Sequence, residues 1–436
     1  MRRAPSTPVR IKRRMGFLPR LYYSWRRTLK WLVIFGAVSG PGIIVMLADN
    51  DAGGITTYAA TGAHFGYGLL WFLVLLGPIA YYVQEMTVRL GAVTKRGHAE
   101  AIFDAFGPFW GWFSLVDLIL VDWLTLVTEF IGMTAALSIF HVPPIVTIVV
   151  VSLVMIAMVL QGRYWTWEKI AFLFCVLNLV YIPGAILVRP SVSEIVRTGL
   201  IPNFPGGFTN QIFFFLMANI GTTIAPWMIF FQQSAVVDKG IQEKDIPLGK
   251  LDTAIGSLFT VLVAGFVVIM TGTLLRGVPI DSAAHAATAL MGVNKWLGTL
   301  LAIGLFNAGF LGAICISLAS SWAFGEVFGW AHSLNNRIRE APWFYASYVI
   351  ALATAGTVVL IPGAPLVMIT LFVQVIAVTL LPAALVFLIL LLNDEERMGK
   401  FKNTVAQNVI SVTVVACIVV LSTLYAISTL FPTLFK

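Results

Sequence analysis

Two aspartates separated by one residue, Asp49 and Asp51, stand inside an otherwise apolar stretch, residues 31–61. Around them runs Ala48-Asp49-Asn50-Asp51-Ala52-Gly53-Gly54. An Asp at the centre of a membrane helix costs roughly 2.5–3.5 kcal/mol on insertion scales, so such residues are functional by default. A second apolar stretch, 210–235, carries Asn219-Ile220-Gly221-Thr222-Thr223-Ile224-Ala225-Pro226. Adjacent glycines and a proline release backbone groups from the helical ladder. In hydrocarbon those groups need protein, water or an ion as partner. Two facing breaks offer half-helix carbonyl ends to a cation and amide ends to an anion. The carboxylates of the first break favour a cation.

The elements that must position these residues are membrane helices. Of the 436 residues, 59% are hydrophobic and 11% charged, against about 25% charged in ordinary soluble domains. That balance excludes a soluble enzyme, a secreted disulfide scaffold and a disordered chain. The three cysteines, Cys175, Cys315 and Cys417, sit in apolar runs without CxxC spacing and read as core hydrophobes. At about 20 apolar residues per span, eleven spans are expected, at 31–61, 68–90, 110–139, 143–161, 169–188, 210–235, 253–275, 295–325, 343–360, 365–392 and 406–431. Ten of the 28 Lys and Arg residues lie within residues 1–30, a segment without Asp or Glu. This basic segment reads as a cytoplasmic anchor against anionic lipid. With the N-terminus inside, all but Arg189, Arg197, Arg276, Lys295 and Lys436 fall on the inner side. The bias supports a cytoplasmic N-terminus and an extracellular C-terminus.

The two breaks fall in the first helix of residues 31–188 and the first helix of residues 210–392. Each block holds five spans, and an odd number turns the second copy upside down. Paired broken helices in inverted repeats mark a transporter's binding site. Residues 406–431 form an additional helix 11.

Further motifs surround the breaks. Ser39-Gly40-Pro41-Gly42 precedes the first, and Gly62-Ala63-His64-Phe65-Gly66-Tyr67 follows it. Gln84, Arg89-Leu90-Gly91-Ala92-Val93-Thr94 and Ala99-Glu100 come next, then Glu129-Phe130-Ile131-Gly132. Gln374 lies eight residues before Pro382. Together these resemble the Nramp family of divalent-metal transporters across most of the first ten spans. The resemblance implies an all-α polytopic protein of LeuT-type fold, with the ion between spans 1 and 6.

The departures bear on the substrate. The family's Asp-Pro-Gly-Asn reads Asp51-Ala52-Gly53-Gly54 here, keeping the Asp and losing the Asn ligand. Its Ala-x-x-Met-Pro-His reads Thr222-Thr223-Ile224-Ala225-Pro226-Trp227. Ala225 thus replaces a methionine and Trp227 a histidine, with Gln232 near the second histidine position. Leu126 stands where span 3 usually carries an Asp. Thioether ligands suit transition metals, whereas Mg²⁺ takes oxygen and keeps several waters. A wide, oxygen-only site is expected, anchored by Asp51 and widened by Gly54 and Ala225. Thr222 and Thr223 hydroxyls, carbonyls of both breaks (Gly221 included) and the Gln374 amide would hold the water shell. Mn²⁺ also accepts oxygen and stays a substrate. The pattern looks like the Nramp-related magnesium transporter branch.

Proton coupling needs a group titrating near working pH, usually histidine. His64, His98, His141, His285 and His332 all lie outside the proposed site, so uncoupled, potential-driven uptake is expected. Asp49 either lines the outer vestibule and binds a second water, or caps the unwound segment. Glu129 is expected to be structural, paired with Arg89 or a threonine hydroxyl. Asp117 and Asp122 are placed along an inner aqueous path. Two alternatives share the fold. One is a proton-coupled Mn²⁺/Fe²⁺ carrier relaying through Glu129 or Asp49, the other an amino-acid carrier binding a carboxylate through amides. No HExxH, P-loop or nucleophile–base pair argues for an enzyme. The expected partners are divalent ions and the bilayer of the cell's inner (plasma) membrane. Neither a cofactor nor nucleic acid is expected, and the chain is expected to be a monomer.

Overall fold

The structure is a computed structural model that describes residues 34–280, 282–364 and 366–431, leaving aside the Val367 side chain. The basic segment 1–30, the first residues of span 1 and Lys436 lie outside the described residues. Helices account for the regular structure, with no strand among the described residues.

After a helical stretch at residues 34–38, span 1 is two helices, α1 (Pro41–Ala48) and α2 (Ala52–Phe65). Pro41 opens α1, where a missing N–H is not needed. The break is confined to Asp49–Asp51. Gly53 and Gly54, expected within it, form the first turn of α2, which Asp51 caps. After α3 (Leu70–Thr94) comes α4 (His98–Phe106), a helix the apolar pattern did not mark. Next come α5 (Pro108–Ser138), α6 (Pro144–Val159), α7 (Tyr164–Leu177) and α8 (Tyr181–Leu187), the last two joined by a 3-10 turn. Span 6 is again two helices, α9 (Asn210–Gly221) and α10 (Pro226–Lys239). Asn219 to Gly221 stay helical, and the break is Thr222–Ala225, ended by Pro226. The chain continues as α11 (Ile246–Leu274), α12 (Ala283–Val293, also unmarked), α13 (Lys295–Phe328), α14 (Pro342–Val358), α15 (Leu366–Asn393) and α16 (Val405–Leu430).

Among the described residues, seven helical segments are long and apolar enough to cross a membrane. The other four expected spans deviate for identifiable reasons. Span 1 is divided, and α5 carries Asp117, Asp122 and Glu129. The helices α6 and α14 are 16 and 17 residues long, just short of a full crossing. The chain is a multi-pass membrane protein.

Small residues let the central helices touch, as in membrane bundles generally. A methyl at Gly312 of α13 would lie 2.9 Å from both Asp51 Cβ and Glu129 Oε2. One at Gly132 of α5 would lie 2.2 Å from Ala52 Cβ. The start of α1 is pinned by three other helices. Asp252 of α11 accepts from Gly40 N at 3.0 Å and from Gly42 N at 2.7 Å. Lys239, ending α10, lies 2.7 Å from Glu168 of α7 and donates to Ser39 O. Gly40 has φ +149°, and a methyl there would lie 1.8 Å from Glu168 Oε1. Only glycine serves at that position.

Candidate metal site

The first question at a helix break is where its freed carbonyls go. Thr260 donates its hydroxyl to Met46 O. Asn178 donates to Leu47 O at 2.9 Å and Asn50 to Thr260 O at 3.2 Å. The end of α1 is therefore tied to α11 and to the joint between α7 and α8. On the other side, Asp51 Oδ1 accepts from Gly54 N at 2.6 Å. Aspartate is a favoured N-cap because its oxygen satisfies one of the helix's unpaired amides.

Glu129 sits against this cap. Its Oε2 accepts from Ala52 N at 2.9 Å and its Oε1 from Thr128 Oγ1 at 3.2 Å. Glu129 and Asp51 are neighbours: Glu129 Oε2 and Asp51 Cβ would each lie 2.9 Å from a methyl at Gly312. The threonine partner was expected; Arg89 is elsewhere, bonded to Glu85, to Asn403 at 2.8 Å and to Phe401 O at 3.0 Å.

The glycines at 53 and 54 clear room. A methyl at Gly53 would lie 2.2 Å from Gln374 Nε2 and 3.1 Å from Thr128 Oγ1. One at Gly54 would lie 2.4 Å from Thr222 Oγ1 and 3.2 Å from both Asp49 O and Asp51 Oδ1. Asp51, Gly54, Thr222, Gln374 and the Asp49 carbonyl are thus brought together. Thr222 Oγ1 and Gln374 Nε2 are buried without a protein partner. Gly221 serves packing: a methyl there would lie 2.0 Å from Gln374 O, so α9 ends flush against α15.

Two expected residues are placed differently. Thr223 donates to Asn219 O at 2.7 Å and meets Tyr58 Oη at 3.1 Å. Its hydroxyl is committed to joining α2 and α9, leaving Thr222 as the open one. Ala225 is small as expected, but its N–H lies 3.4 Å from Met228 Sδ. A thioether therefore returns to the second break from one turn along, satisfying the amide that opens α10.

Both oxygens of Asp49 are buried and unpartnered. It accepts no backbone N–H, so the capping alternative does not hold. Asp122 bonds Ser320 at 2.6 Å and borders a cavity of about 220 Å³ between α5, α13 and α14. That is away from the space between spans 1 and 6. Among the described residues, no group of three or more His, Cys, Asp or Glu side chains is arranged to hold a metal. His98 packs its Nδ1 2.8 Å from Gln233 Oε1, and His64 lies against Phe215 at the far end of α2. Asp49, Asp51, Thr222 and Gln374 are each no more than 2% exposed. A cavity of about 510 Å³ opens at the far ends of α2 and α9. Another of about 400 Å³ opens near the far end of α10. Sequence reasoning missed Tyr58, Thr128 and Gly312, whose spacing resembles ordinary helix packing.

Residues 42–428 match the family described as natural resistance-associated macrophage protein-like, Nramp. The chain belongs to the Nramp family. Among Nramp relatives, the divalent metal cation transporter MntH of Caldanaerobacter subterraneus subsp. tengcongensis is 26% identical over 407 residues, 90% of this chain and 93% of that protein. MntH of Lacticaseibacillus casei is 26% identical over 392 residues, 84% of each chain. The crystal structure of the Eremococcus coleocola manganese transporter, in complex with an aromatic bis-isothiourea substituted compound, has a TM-score of 0.74 at 23% identity. It covers 91% of this chain and 87% of that one. The chain shares their all-helical LeuT-type fold, with helices 1 and 6 broken.

Proposed function

We propose that this Nramp chain carries divalent metal cations, Mg²⁺ and also Mn²⁺, across the membrane by alternating access, as partly hydrated ions. One observation carries the reading. The two breaks bring the Asp51 carboxylate, the free Thr222 hydroxyl, the Gln374 amide and the Asp49 carbonyl around glycines 53 and 54. Too few charged ligands converge to strip a cation fully, and Mg²⁺ is usually held through one or two carboxylates while keeping waters. The ion is cargo, and no cofactor is invoked. The metal-ion relatives support the divalent class, and the missing methionine at Ala225 supports the hard-ion preference.

The protein would work as a monomer in the plasma membrane with eleven spans, N-terminus inside and C-terminus outside. Residues 31–188 and 210–392 would be the inverted five-helix units and 406–431 the extra helix. An inside-negative potential gives about 2.3 kcal/mol per charge per 100 mV, twice that for a divalent ion. Uptake then needs no proton. Dye-reported Mg²⁺ influx in proteoliposomes tests the reading; no influx, or influx unchanged in Asp51→Ala, overturns it.

A second reading rests on the closeness of the Asp51 and Glu129 side chains around Gly312. Two buried carboxyls so near one another are disfavoured as a pair of anions, and a proton on one relieves the repulsion. Displacing that proton would couple ion entry to proton movement. Internal acidification that tracks Mn²⁺ uptake supports this reading, and its absence supports the uncoupled one.

A further inference from the structure

We propose that Asp49 is the second carboxylate of the ion site, and that it makes the site selective for doubly charged over singly charged cations. This rests on the reading of Asp51 as the anchor. Asp49 is 1% exposed and neither carboxylate oxygen has a partner. A buried carboxylate left in that condition is strongly unfavourable, and such groups in folded proteins are paired or bound to a cation. The surrounding chain does not supply the partner. The nearest break residues are bonded elsewhere: Asn50 donates to Thr260, and Asp51 accepts from Gly54. Two buried basic side chains are committed elsewhere: Lys239 is held by Glu168 and Ser39, and Arg89 by Glu85 and Asn403.

The position is right for a ligand. The Asp49 carbonyl borders the same space at Gly54 as Asp51 Oδ1 and Thr222 Oγ1. The unpartnered Thr222 hydroxyl and Gln374 amide border the same glycines. Waters bound to a cation point their hydrogens outward, so the shell of a hydrated ion calls for acceptors. Asp51 has one oxygen engaged by Gly54 N, whereas both Asp49 oxygens are open.

Charge balance gives the selectivity. A divalent ion offsets the charges of both Asp49 and Asp51. A monovalent ion leaves one negative charge in a medium of low dielectric, where an uncompensated charge is costly. Replacing Asp49 by an isosteric amide removes one charge and reverses the preference. The doubly charged ion then carries the excess, and Na⁺ or K⁺ becomes the matched guest.

The test uses the full chain in proteoliposomes, with Mg²⁺ and Mn²⁺ influx measured against added Na⁺ and K⁺. Asp49→Asn is expected to raise the KM for both divalent ions about tenfold or more and to let Na⁺ compete, while Asp49→Glu keeps wild-type selectivity. If Asp49→Asn does not give a monodisperse protein, Asp49→Ser reads out the same two quantities with a smaller side chain. Wild-type KM and indifference to Na⁺ in the neutral variants would overturn the proposal. So would a Glu variant as unselective as Asn. Failure here is distinct from failure of the anchor: if Asp51→Asn is inactive while Asp49→Asn is normal, only the second carboxylate is lost. If Asp51→Asn is also normal, the metal-site reading itself falls.

Discussion

Glu129 Oε2 accepts the backbone N–H of Ala52 at 2.9 Å, the first amide after the Asp51 anchor. An acid on α5 thereby fixes the angle at which span 1 re-enters its helix. Both Glu129 and Ala52 are fully buried. Glu129→Ala leaves that amide without a partner, at a cost of about 1–3 kcal/mol. Glu129→Gln keeps an acceptor oxygen of the same shape. Thermal unfolding in detergent is expected to show a clear loss of stability for Ala and little for Gln. Equal losses would mean that charge, and not the hydrogen bond, is what Glu129 contributes.

Gly54 tests the room in the site. A methyl there would meet Thr222 Oγ1 at 2.4 Å and Asp51 Oδ1 at 3.2 Å. The carbon would occupy space assigned to the ion or its water. Gly54→Ala is expected to fold, as alanine favours helices, and to lose most Mg²⁺ influx. Full activity would place the ion elsewhere.

Ala225→Met tests hardness. It restores a soft ligand at the second break, where Met228 Sδ already lies 3.4 Å from the Ala225 amide. Sulfur favours transition metals over Mg²⁺. Competition influx assays are expected to show Mn²⁺ gaining over Mg²⁺. An unchanged ratio would mean that residue 225 does not face the ion.

The pair of Lys239 and Glu168 sits at the start of α1. Their side chains are 1% and 3% exposed at 2.7 Å. Removing one member of a buried ion pair costs about 3–5 kcal/mol, whereas replacing both with apolar residues is often tolerated. Lys239→Met alone should therefore lower the unfolding temperature more than Lys239→Met combined with Glu168→Met. The single variant is also expected to expose residue 39 to a thiol reagent when Ser39 is replaced by cysteine. Protection equal to the parent would show that the ion pair does not shield residue 39.

His98 supplies a pH signature. It lies on α4, outside the spans, and burial pushes its imidazole down from 6.5 to about 4. The folded state thus resists a proton that the unfolded chain accepts. This contribution to stability is fully present above pH 6.5 and is lost as pH falls towards 4, on the order of 3 kcal/mol in all. Unfolding temperatures measured from pH 7 to 4 should fall in that window, less so for His98→Gln. Parallel curves would assign the acid sensitivity to other groups.

Much of the architecture is legible because a bilayer demands long apolar runs and leaves few ways to satisfy a backbone. The acids and glycines at 49–54 and the Gly-Thr-Thr-x-x-Pro of span 6 mark both breaks for that reason. Their limits were less visible. Gly53 and Gly54 look like the break but are the space beside it, because Asp51 caps the helix that contains them. Thr222 and Thr223 are equivalent in sequence. The Asn219 carbonyl and Tyr58, from another helix, together engage Thr223 and leave the Thr222 hydroxyl free. The helices α4 and α12, of 9 and 11 residues, are too short for a span and carry no break signal. Glu129 needed its partner Ala52, 77 positions away, to be understood.

Mg²⁺ entry and internal pH, followed together in liposomes with an inside-negative potential, decide whether Asp51 anchors an uncoupled divalent ion. Mg²⁺ influx is expected in the wild type without acidification, and none in Asp51→Ala. An inert wild type, or an Asp51→Ala variant as fast as its parent, would contradict it.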